Sequence, residues 1–248
     1  IPAAIRNHAF GPNLAAILSY LSGRCHESKR TVQEVVAAIF GISVSLGSIA
    51  NIEREMKNAL ASGYDEATTD VRDAMVKNVD ETGWFEKHRW CWLWTAATQT
   101  TVCFQIQAQR GREGLKNFLG AVVKGIVGSD RWGGYARLLL ARRQICRAHL
   151  KRDFQKLIDS GNAAAIKTGR TGLQVVQELF TIWHNFQVGT FGRRALQSRM
   201  APVQARLERA LRRGHHGPDP PTARFCRRIL KIYPALWTFV IHPNVEPT

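Results

Sequence analysis

Two consecutive stretches of alternating side chains constrain the fold of this chain most strongly. In WCWLWT (residues 90–95) three tryptophans alternate with other side chains, and in VCFQIQ (residues 102–107) Val, Phe and Ile alternate with Cys and Gln. A period of two is typical of β-strands, whose successive side chains point to opposite faces. The polar residues 98–100 between the stretches predict a turn, so we expect a β-hairpin. We expect its tryptophan face to pack in the core rather than to stack on bases.

The segments around this hairpin complete a recognisable order of elements. A short strand precedes the hairpin, and helices alternate with two further short strands after it. The predicted order is strand, strand, strand, helix, strand, helix, strand, helix, with the elements outside the hairpin at residues 75–81, 112–123, 125–130, 135–140, 143–146 and 148–158. Three antiparallel strands followed by crossovers make a mixed sheet flanked by helices. The sequence therefore predicts an α/β fold.

Two of the predicted strands end at an aspartate, fifty residues apart. Asp80 follows Val79 on the first strand, and Asp130 ends the apolar segment GIVGSD. A right-handed crossover can set the fourth strand beside the first, which makes the two carboxylates neighbours. Two unneutralised charges about 4 Å apart cost on the order of 4 kcal/mol at an effective dielectric near 20. A shared divalent cation removes that cost, so the pair predicts a metal site. We expect Glu81 to point to the opposite face.

The region before the sheet reads as helical. In TVQEVVAAIFG (residues 31–41) apolar residues recur at helical spacing up to Phe40, and Gly41 is a natural helix end. A second helix restarts after Ser45, a plausible cap. Two short helices joined by such a turn resemble a helix-turn-helix unit, whose second helix would offer three polar residues to DNA, namely Ser48, Asn51 and Arg54. The alternative is that the two helices form a hairpin that packs in the protein core and does not contact DNA.

Charge and composition favour a polyanionic partner. The 35 Lys and Arg residues exceed the 19 acids, which gives a net charge of +16 and a pI near 10.3. Nucleic acid is the first candidate, and the helical residues 161–248 are rich in arginine, including Arg193 and Arg194. No apolar run reaches the roughly 20 residues of a membrane span, and we find no signal peptide. Five scattered cysteines predict a reducing cytoplasm.

Several motifs together resemble a known family. The segments VDETGWFEKHRWCWLWTAAT, GIVGSDRWGGY and RRQICRAHLKRDF look like the central domain of bacterial insertion-sequence transposases, specifically the insertion-sequence-66 family. Residues 16–52 resemble the part that precedes this domain. The resemblance runs over most of the chain and keeps the order and spacing of the motifs, which makes it specific.

The resemblance implies a ribonuclease-H-like core with an Asp-Asp-Glu triad and two divalent ions, Mg²⁺ or Mn²⁺. Carried over to this chain, Asp80 is the first acid and Asp130 the second. The resemblance implies that one ion would activate water to cut a phosphodiester at the transposon end, and that the freed 3′-hydroxyl would then attack target DNA. DNA is the implied substrate, bound by a homodimer or larger assembly in the bacterial cytoplasm, at the nucleoid.

The third acid has no counterpart in these 248 residues. The family's glutamate is expected in an N-N-x-A-E-R-like stretch shortly after a Pro-Thr dipeptide, and this chain ends NVEPT. Glu246 precedes that dipeptide and is therefore not the counterpart. The chain also opens on Ile1 rather than Met, and we expect it to be a fragment, which as such can be inactive. The family's zinc-binding amino-terminal region has no match here.

The segment RRQICRAHLKRDF offers further candidates. We expect His149 or Arg152 to orient a phosphate near the acids, the alternative being a core-facing helix with an exposed basic edge. Cys146 and His149 have a zinc-like spacing, but no second pair stands at a suitable distance.

The predicted division has three parts: residues 1–75, helical and helix-turn-helix-like; residues 76–160, the catalytic core; and residues 161–248, an arginine-rich helical insertion that ends before the third acid. Two other functions stay open. One is a non-catalytic DNA-binding or assembly module, and the other is a nuclease of the same fold that cuts without joining.

Overall fold

The computed structural model of the chain describes residues 10–86 and 88–247. The chain divides into two compact units, one up to Thr68 and one from Thr69 onward. The first nine residues of the predicted amino-terminal part, and Thr248, lie outside the described residues. Among the helices of the described ranges, none combines the length and apolarity that crossing a membrane requires.

The first unit is helical. Its helices are α1 (Pro12–Gly23), α2 (Lys29–Phe40) and α3 (Leu46–Ala59), and α4 (Ala61–Asp73) begins in this unit and ends in the second. Apolar residues from α1, α2, α3 and the α2–α3 connection form its core: Leu18, Val32, Val36, Val44, Ile49 and Ile52.

The helix boundaries in this unit follow local chemistry. Gly41 ends α2 in the left-handed conformation at φ 64°, and the Ser45 side chain caps α3 by accepting the Ser48 N–H at 3.0 Å. Both predicted boundaries are confirmed. The predicted apolar stripe of α2 is wrong at its end, because Ile39 and Phe40 are 67% and 46% exposed. The core of this unit includes Val32 and Val36 of α2, but not the residues of its last turn.

The second unit contains a five-stranded mixed sheet, in the described residues. Its strands are β1 (Val76–Glu86), β2 (Arg89–Ala97), β3 (Val102–Gln107), β4 (Ile126–Ser129) and β5 (Arg143–Ile145), in the spatial order β3-β2-β1-β4-β5. The β1–β2 and β2–β3 pairs are antiparallel, and β1–β4 and β4–β5 are parallel. The predicted mixed α/β sheet is confirmed.

The predicted hairpin is β2–β3. Its turn is closed by the Thr98 N–H donating to the Thr101 carbonyl at 2.8 Å and by the Thr98 hydroxyl accepting from the Thr101 N–H at 3.0 Å. Trp94 is fully buried, as predicted, but Trp90 is 73% exposed. The prediction that Trp90 packs in the core is wrong, because Trp90 lies at the outer end of β1–β2 and packs edge-on against Phe85.

Six α-helices of the described residues follow the β2–β3 hairpin. They are α5 (Arg112–Leu119), α6 (Arg147–Asp159), α7 (Ala163–Gln187), α8 (Arg193–His215), α9 (Pro220–Lys231) and α10 (Thr238–Ile241). The helix predicted at residues 135–140 is wrong. Two 3-10 turns, Gly133–Arg137 and Leu140–Arg142, occupy this region. Leu138, between the two turns, is extended at φ −75° and ψ 136°, so the chain advances there by more than the about 1.5 Å per residue of a helix.

The helices after β5 share one core with the edge of the sheet. Ile145 of β5 packs in a cluster with apolar residues of α6–α10. Gln144 accepts the Phe239 N–H at 2.9 Å, and the Thr238 hydroxyl donates to the Arg143 carbonyl at 2.5 Å. The arginine-rich segment therefore packs apolar residues against β5, while most of its arginines are exposed.

Lys77 of β1 makes stability depend on pH. It is 1% exposed, its Nζ donates to the Arg72 carbonyl at 2.6 Å, and burial lowers its pKa from 10.5 to about 8. Between these values the unfolded chain binds a proton that the folded chain does not. The free energy of unfolding should therefore rise with pH in this window, by at most about 1.4 kcal/mol per pH unit.

Lys77→Met removes this titration. We expect the variant to gain less stability than the original chain between pH 8 and pH 10, measured by urea unfolding. Tryptophan fluorescence suits the measurement because all seven tryptophans follow Thr69. Groups that titrate equally in both chains cancel in the comparison. Parallel pH curves for the two chains would contradict the prediction.

Candidate active site

Parallel pairing of β1 and β4 brings the two predicted acids to adjacent strands. Asn78 lies opposite Gly128, and Asp80 and Asp130 each stand two residues further along. An added Cβ at Gly128 would lie 2.0 Å from the Asn78 Oδ1, so a larger residue here would displace the Asn78 side chain. The side chain of Asn78 thus crosses over Gly128, on the face where this register sets both acids.

Each of the two aspartates is held by one backbone hydrogen bond. The Asp80 Oδ1 accepts the Glu81 N–H at 3.0 Å, and the Asp130 Oδ1 accepts the Trp132 N–H at 2.8 Å. Within the described part of the chain, the Oδ2 atoms of both accept no hydrogen bond. Asp80 is exposed and Asp130 half-buried. Both carboxylates therefore have a free oxygen and access to solvent.

Glu81 faces the other way, as predicted. Its side chain is fully buried, and its Oε1 accepts from the Arg110 Nε at 2.9 Å and Nη2 at 2.6 Å. The Tyr135 hydroxyl donates to Oε2 at 2.5 Å. Burial raises the pKa of Glu81, the bonds from Tyr135 and Arg110 oppose that rise, and the charge of Asp130 adds to it.

Tyr135 lies within electrostatic reach of all three acids. Burial raises its pKa well above the usual range, and the charges of Glu81, Asp130 and Asp80 raise it further. The Tyr135 hydroxyl therefore stays protonated and acts as a hydrogen-bond donor. Tyr135 therefore connects the buried Glu81 side chain electrostatically with the two aspartates on the neighbouring strands.

Arg110 lies between two indole rings. Its guanidinium carbon is 4.8 Å from the Trp92 ring centroid and 4.5 Å from that of Trp132, a geometry of cation–π attraction. Trp132 in turn lies against Gly134, where an added Cβ would meet the ring at 1.8 Å. Gly134, the second glycine of the Gly-Gly pair after Asp130, thus makes room for the indole that packs on Arg110.

Sequence reasoning did not identify Arg110 or Tyr135. Tyr135 had a signal, because it closes the stretch GIVGSDRWGGY that contains Asp130. Arg110 had none, because it lies in a loop after β3, 29 residues from its partner Glu81.

The predicted DNA-reading residues lie on α3, in the first unit. Asn51 and Arg54 are exposed and bonded to each other, with the Arg54 Nη1 donating to the Asn51 Oδ1 at 3.2 Å. The Ser48 hydroxyl lies 2.9 Å from the Ser45 hydroxyl, within the cap of α3. The acids belong to the second unit.

His149 and Arg152 lie on α6, which starts beside the end of β4. The Cys146 N–H at the start of α6 donates to the Ser129 carbonyl at 2.8 Å, so the helix begins next to Asp130. Arg152 is exposed. The His149 Nδ1 is buried and has no hydrogen-bond partner in the described part of the chain.

Arg193 and Arg194 open α8 and differ in their surroundings. The Arg193 Nη1 donates to the carbonyls of Phe239 at 2.7 Å and His242 at 3.2 Å. These bonds satisfy carbonyls at the end of α10 and give Arg193 a structural role. Arg194 is exposed.

The donor set of the site is a carboxylate pair. Among residues 10–86 and 88–247, no three His, Cys, Asp or Glu side chains form a cluster that could hold a metal ion. Mg²⁺ is commonly bound through one or two carboxylates, with water and substrate phosphates as its other ligands. Asp80 and Asp130, each with one free oxygen, fit that requirement.

Comparison with known proteins decides the family. The model of the transposase IS66 family matches residues 9–248. The chain belongs to this family. Searches among curated proteins and among solved structures found no match. Membership of the IS66 family supports a transposase.

Proposed function

We propose that this IS66-family chain carries a ribonuclease-H-like core that cuts and joins DNA through a two-metal site at Asp80 and Asp130. The observation that carries the proposal is the parallel pairing of β1 with β4, in register to set the two acids on adjacent strands. The order β3-β2-β1-β4-β5, with three antiparallel strands followed by two parallel ones, supports the ribonuclease-H-like assignment. In this proposal residues 1–75 precede the core, 76–160 form it, and 161–248 are an insertion.

Asp80 and Asp130 would hold two Mg²⁺ or Mn²⁺ ions. When bound, such ions neutralise charge on the phosphate and activate the attacking oxygen of an in-line displacement. The protein's own contribution is to hold two carboxylates at fixed positions with one oxygen of each free. His149 and Arg152, on the helix that starts beside Asp130, would orient a phosphate of the DNA.

Basic helices would supply most of the affinity for DNA. The exposed side of α9 carries cations at helical spacing: Arg224, Arg227, Arg228 and Lys231. The helix has no acidic residue between its first and last residues. Arg194 of α8, and Ser48, Asn51 and Arg54 of α3, would add further DNA contacts, and Arg193 would contribute one beside its structural bonds. We also propose a homodimer or larger assembly on DNA, in the bacterial cytoplasm.

Removing cations from α9 should weaken DNA binding and its salt dependence together. Each lost phosphate contact lowers the slope of log K against log salt by about 0.9, so Arg227→Gln/Arg228→Gln should lower the slope by about 2. The affinity should fall similarly for unrelated DNA sequences. Fluorescence anisotropy of a labelled duplex over a range of salt concentrations measures both quantities.

The matched control removes two arginines that are already paired. Arg206 and Arg212 bond to the carboxylates of Glu178 and Glu208. Arg206→Gln/Arg212→Gln changes the net charge by the same amount, yet should lower the slope by much less. Equal slopes for the two double variants would show that overall charge, rather than α9, determines binding.

The function itself is tested by nicking and joining. The chain is incubated with a supercoiled plasmid and a labelled oligonucleotide bearing a free 3′-hydroxyl, with Mg²⁺, with Mn²⁺ and with chelator. Metal-dependent nicking together with joining of the oligonucleotide supports the transposase chemistry. Nicking without joining favours the nuclease, and DNA binding without either favours the non-catalytic module. The same assay on a chain continued past Thr248 tests the expected position of the third acid.

A further inference from the structure

We propose that Glu81, Arg110 and Tyr135 form a positioning cluster that fixes the spacing of the Asp80–Asp130 pair. This inference rests on the proposed function, because it concerns the same two acids. The cluster joins three parts of the chain: Glu81 belongs to β1, Arg110 to the loop after β3, and Tyr135 to the turn after β4.

Glu81 connects the cluster to the first acid. Its N–H donates to the Asp80 Oδ1, while its side chain is anchored on the opposite face by Arg110 and Tyr135. Adjacent residues of a strand point to opposite faces. An anchored Glu81 therefore restricts the rotation of β1 at this point, and the Asp80 carboxylate with it.

Tyr135 connects the cluster to the second acid. The segment from Asp130 to Tyr135 is held at both of its ends, at the start by the Trp132 N–H on the Asp130 Oδ1 and at the end by the Tyr135 hydroxyl on Glu81. The ring of Trp132 lies 5.6 Å from that of Tyr135. Asp130 is the first residue after β4, so the sheet ladder alone does not fix it.

Arg110 balances the charge of the cluster. Its guanidinium forms two bonds to the Glu81 carboxylate and stacks between Trp92 and Trp132. Without the Glu81 charge, the partly buried Arg110 guanidinium would lose the carboxylate that pairs with it. A buried ion pair often adds little net stability compared with apolar residues. We therefore assign the Arg110–Glu81 ion pair the role of fixing the position of Glu81.

The test is a titration of the whole 248-residue chain with Mn²⁺, in which the electron paramagnetic resonance signal reports the concentration of free Mn²⁺. We expect Glu81→Gln and Tyr135→Phe each to weaken Mn²⁺ binding about tenfold, the size of effect typical of groups that orient metal ligands. Because Glu81 and Tyr135 act through one contact, the double variant should lose much less than a hundredfold in Mn²⁺ affinity.

Tyr233→Phe is the control for a merely structural effect. The Tyr233 hydroxyl donates to the Gln204 carbonyl at 2.7 Å, so this variant also loses a tyrosine hydrogen bond, but away from the acids. It should lower thermal stability and leave Mn²⁺ affinity unchanged. Unchanged affinity in Glu81→Gln and Tyr135→Phe, or an equal loss in Tyr233→Phe, would overturn the positioning role.

Asp130→Asn separates the two proposals. If it loses Mn²⁺ binding while Glu81→Gln and Tyr135→Phe keep it, the positioning cluster is wrong and the metal site stands. If Asp130→Asn binds Mn²⁺ as well as the original chain, or the original chain binds none, the metal site itself is wrong and the positioning role falls with it.

Discussion

Asp80→Asn and Asp130→Asn should each reduce metal-dependent nicking by about a thousandfold or more, which corresponds to about 4 kcal/mol of transition-state stabilisation. The amide has the size of the carboxylate but no charge, so the fold should change little. Each acid is expected to ligate a divalent ion that carries charge in the transition state. Losing either acid should therefore remove most of the nicking rate. This applies to the 248-residue chain and to a chain continued past Thr248, whichever of them is active. Nicked plasmid formed over time, at several Mn²⁺ concentrations, measures the loss.

Asp73→Asn is the matched control. Asp73 is an exposed acid at the end of α4, paired with the Lys124 Nζ at 2.7 Å, and its loss should leave nicking within about twofold of the original rate. DNA binding should survive in all three variants, because affinity is expected from the basic helices. Nicking that persists in Asp130→Asn would contradict the assignment, and so would an equal loss in Asp73→Asn.

The acid pair could be predicted because strand adjacency follows from the order of elements. Alternating residues defined the hairpin, and a crossover after it has few ways to return to the sheet. These rules allow β4 to lie beside β1, and the structure has this pairing. The start of α3 and the end of α2 could also be predicted, because Ser45 and Gly41 act on the backbone of neighbouring residues.

The cluster around Glu81 could not be predicted because its contacts join distant residues. Arg110 lies 29 positions from Glu81, and Tyr135 lies 54 positions away. Nothing in the local sequence of Arg110 distinguishes it from an exposed loop arginine. The same limit explains the error at Trp90, since periodicity shows which face a residue occupies but not where along the strand that face is covered.

The packing of α6 against α7 leads to the prediction with the largest effect on stability. Gly169 of α7 lies so close to α6 that an added Cβ would meet the Phe154 carbonyl oxygen at 2.6 Å and the Ile158 Cγ1 at 2.8 Å. A backbone oxygen cannot move aside as a flexible side chain can. Gly169→Ala should therefore lower the free energy of unfolding by about 1–3 kcal/mol, despite the better helix propensity of alanine. Urea unfolding followed by tryptophan fluorescence measures the change.

Gly192→Ala provides the comparison, because an added Cβ at Gly192 meets no atom within 4 Å. It is the residue before α8, with φ −86°, so alanine there should lose only the helix-cap preference of glycine, about 0.5–1 kcal/mol. Equal stability of the two variants would mean that α6 and α7 can separate without cost. If Gly169→Ala is destabilised as expected, its effect should reach the active site as well, since α6 begins beside Asp130 and carries His149 and Arg152. Nicking by the folded fraction of Gly169→Ala should then fall, whereas nicking by Gly192→Ala should not.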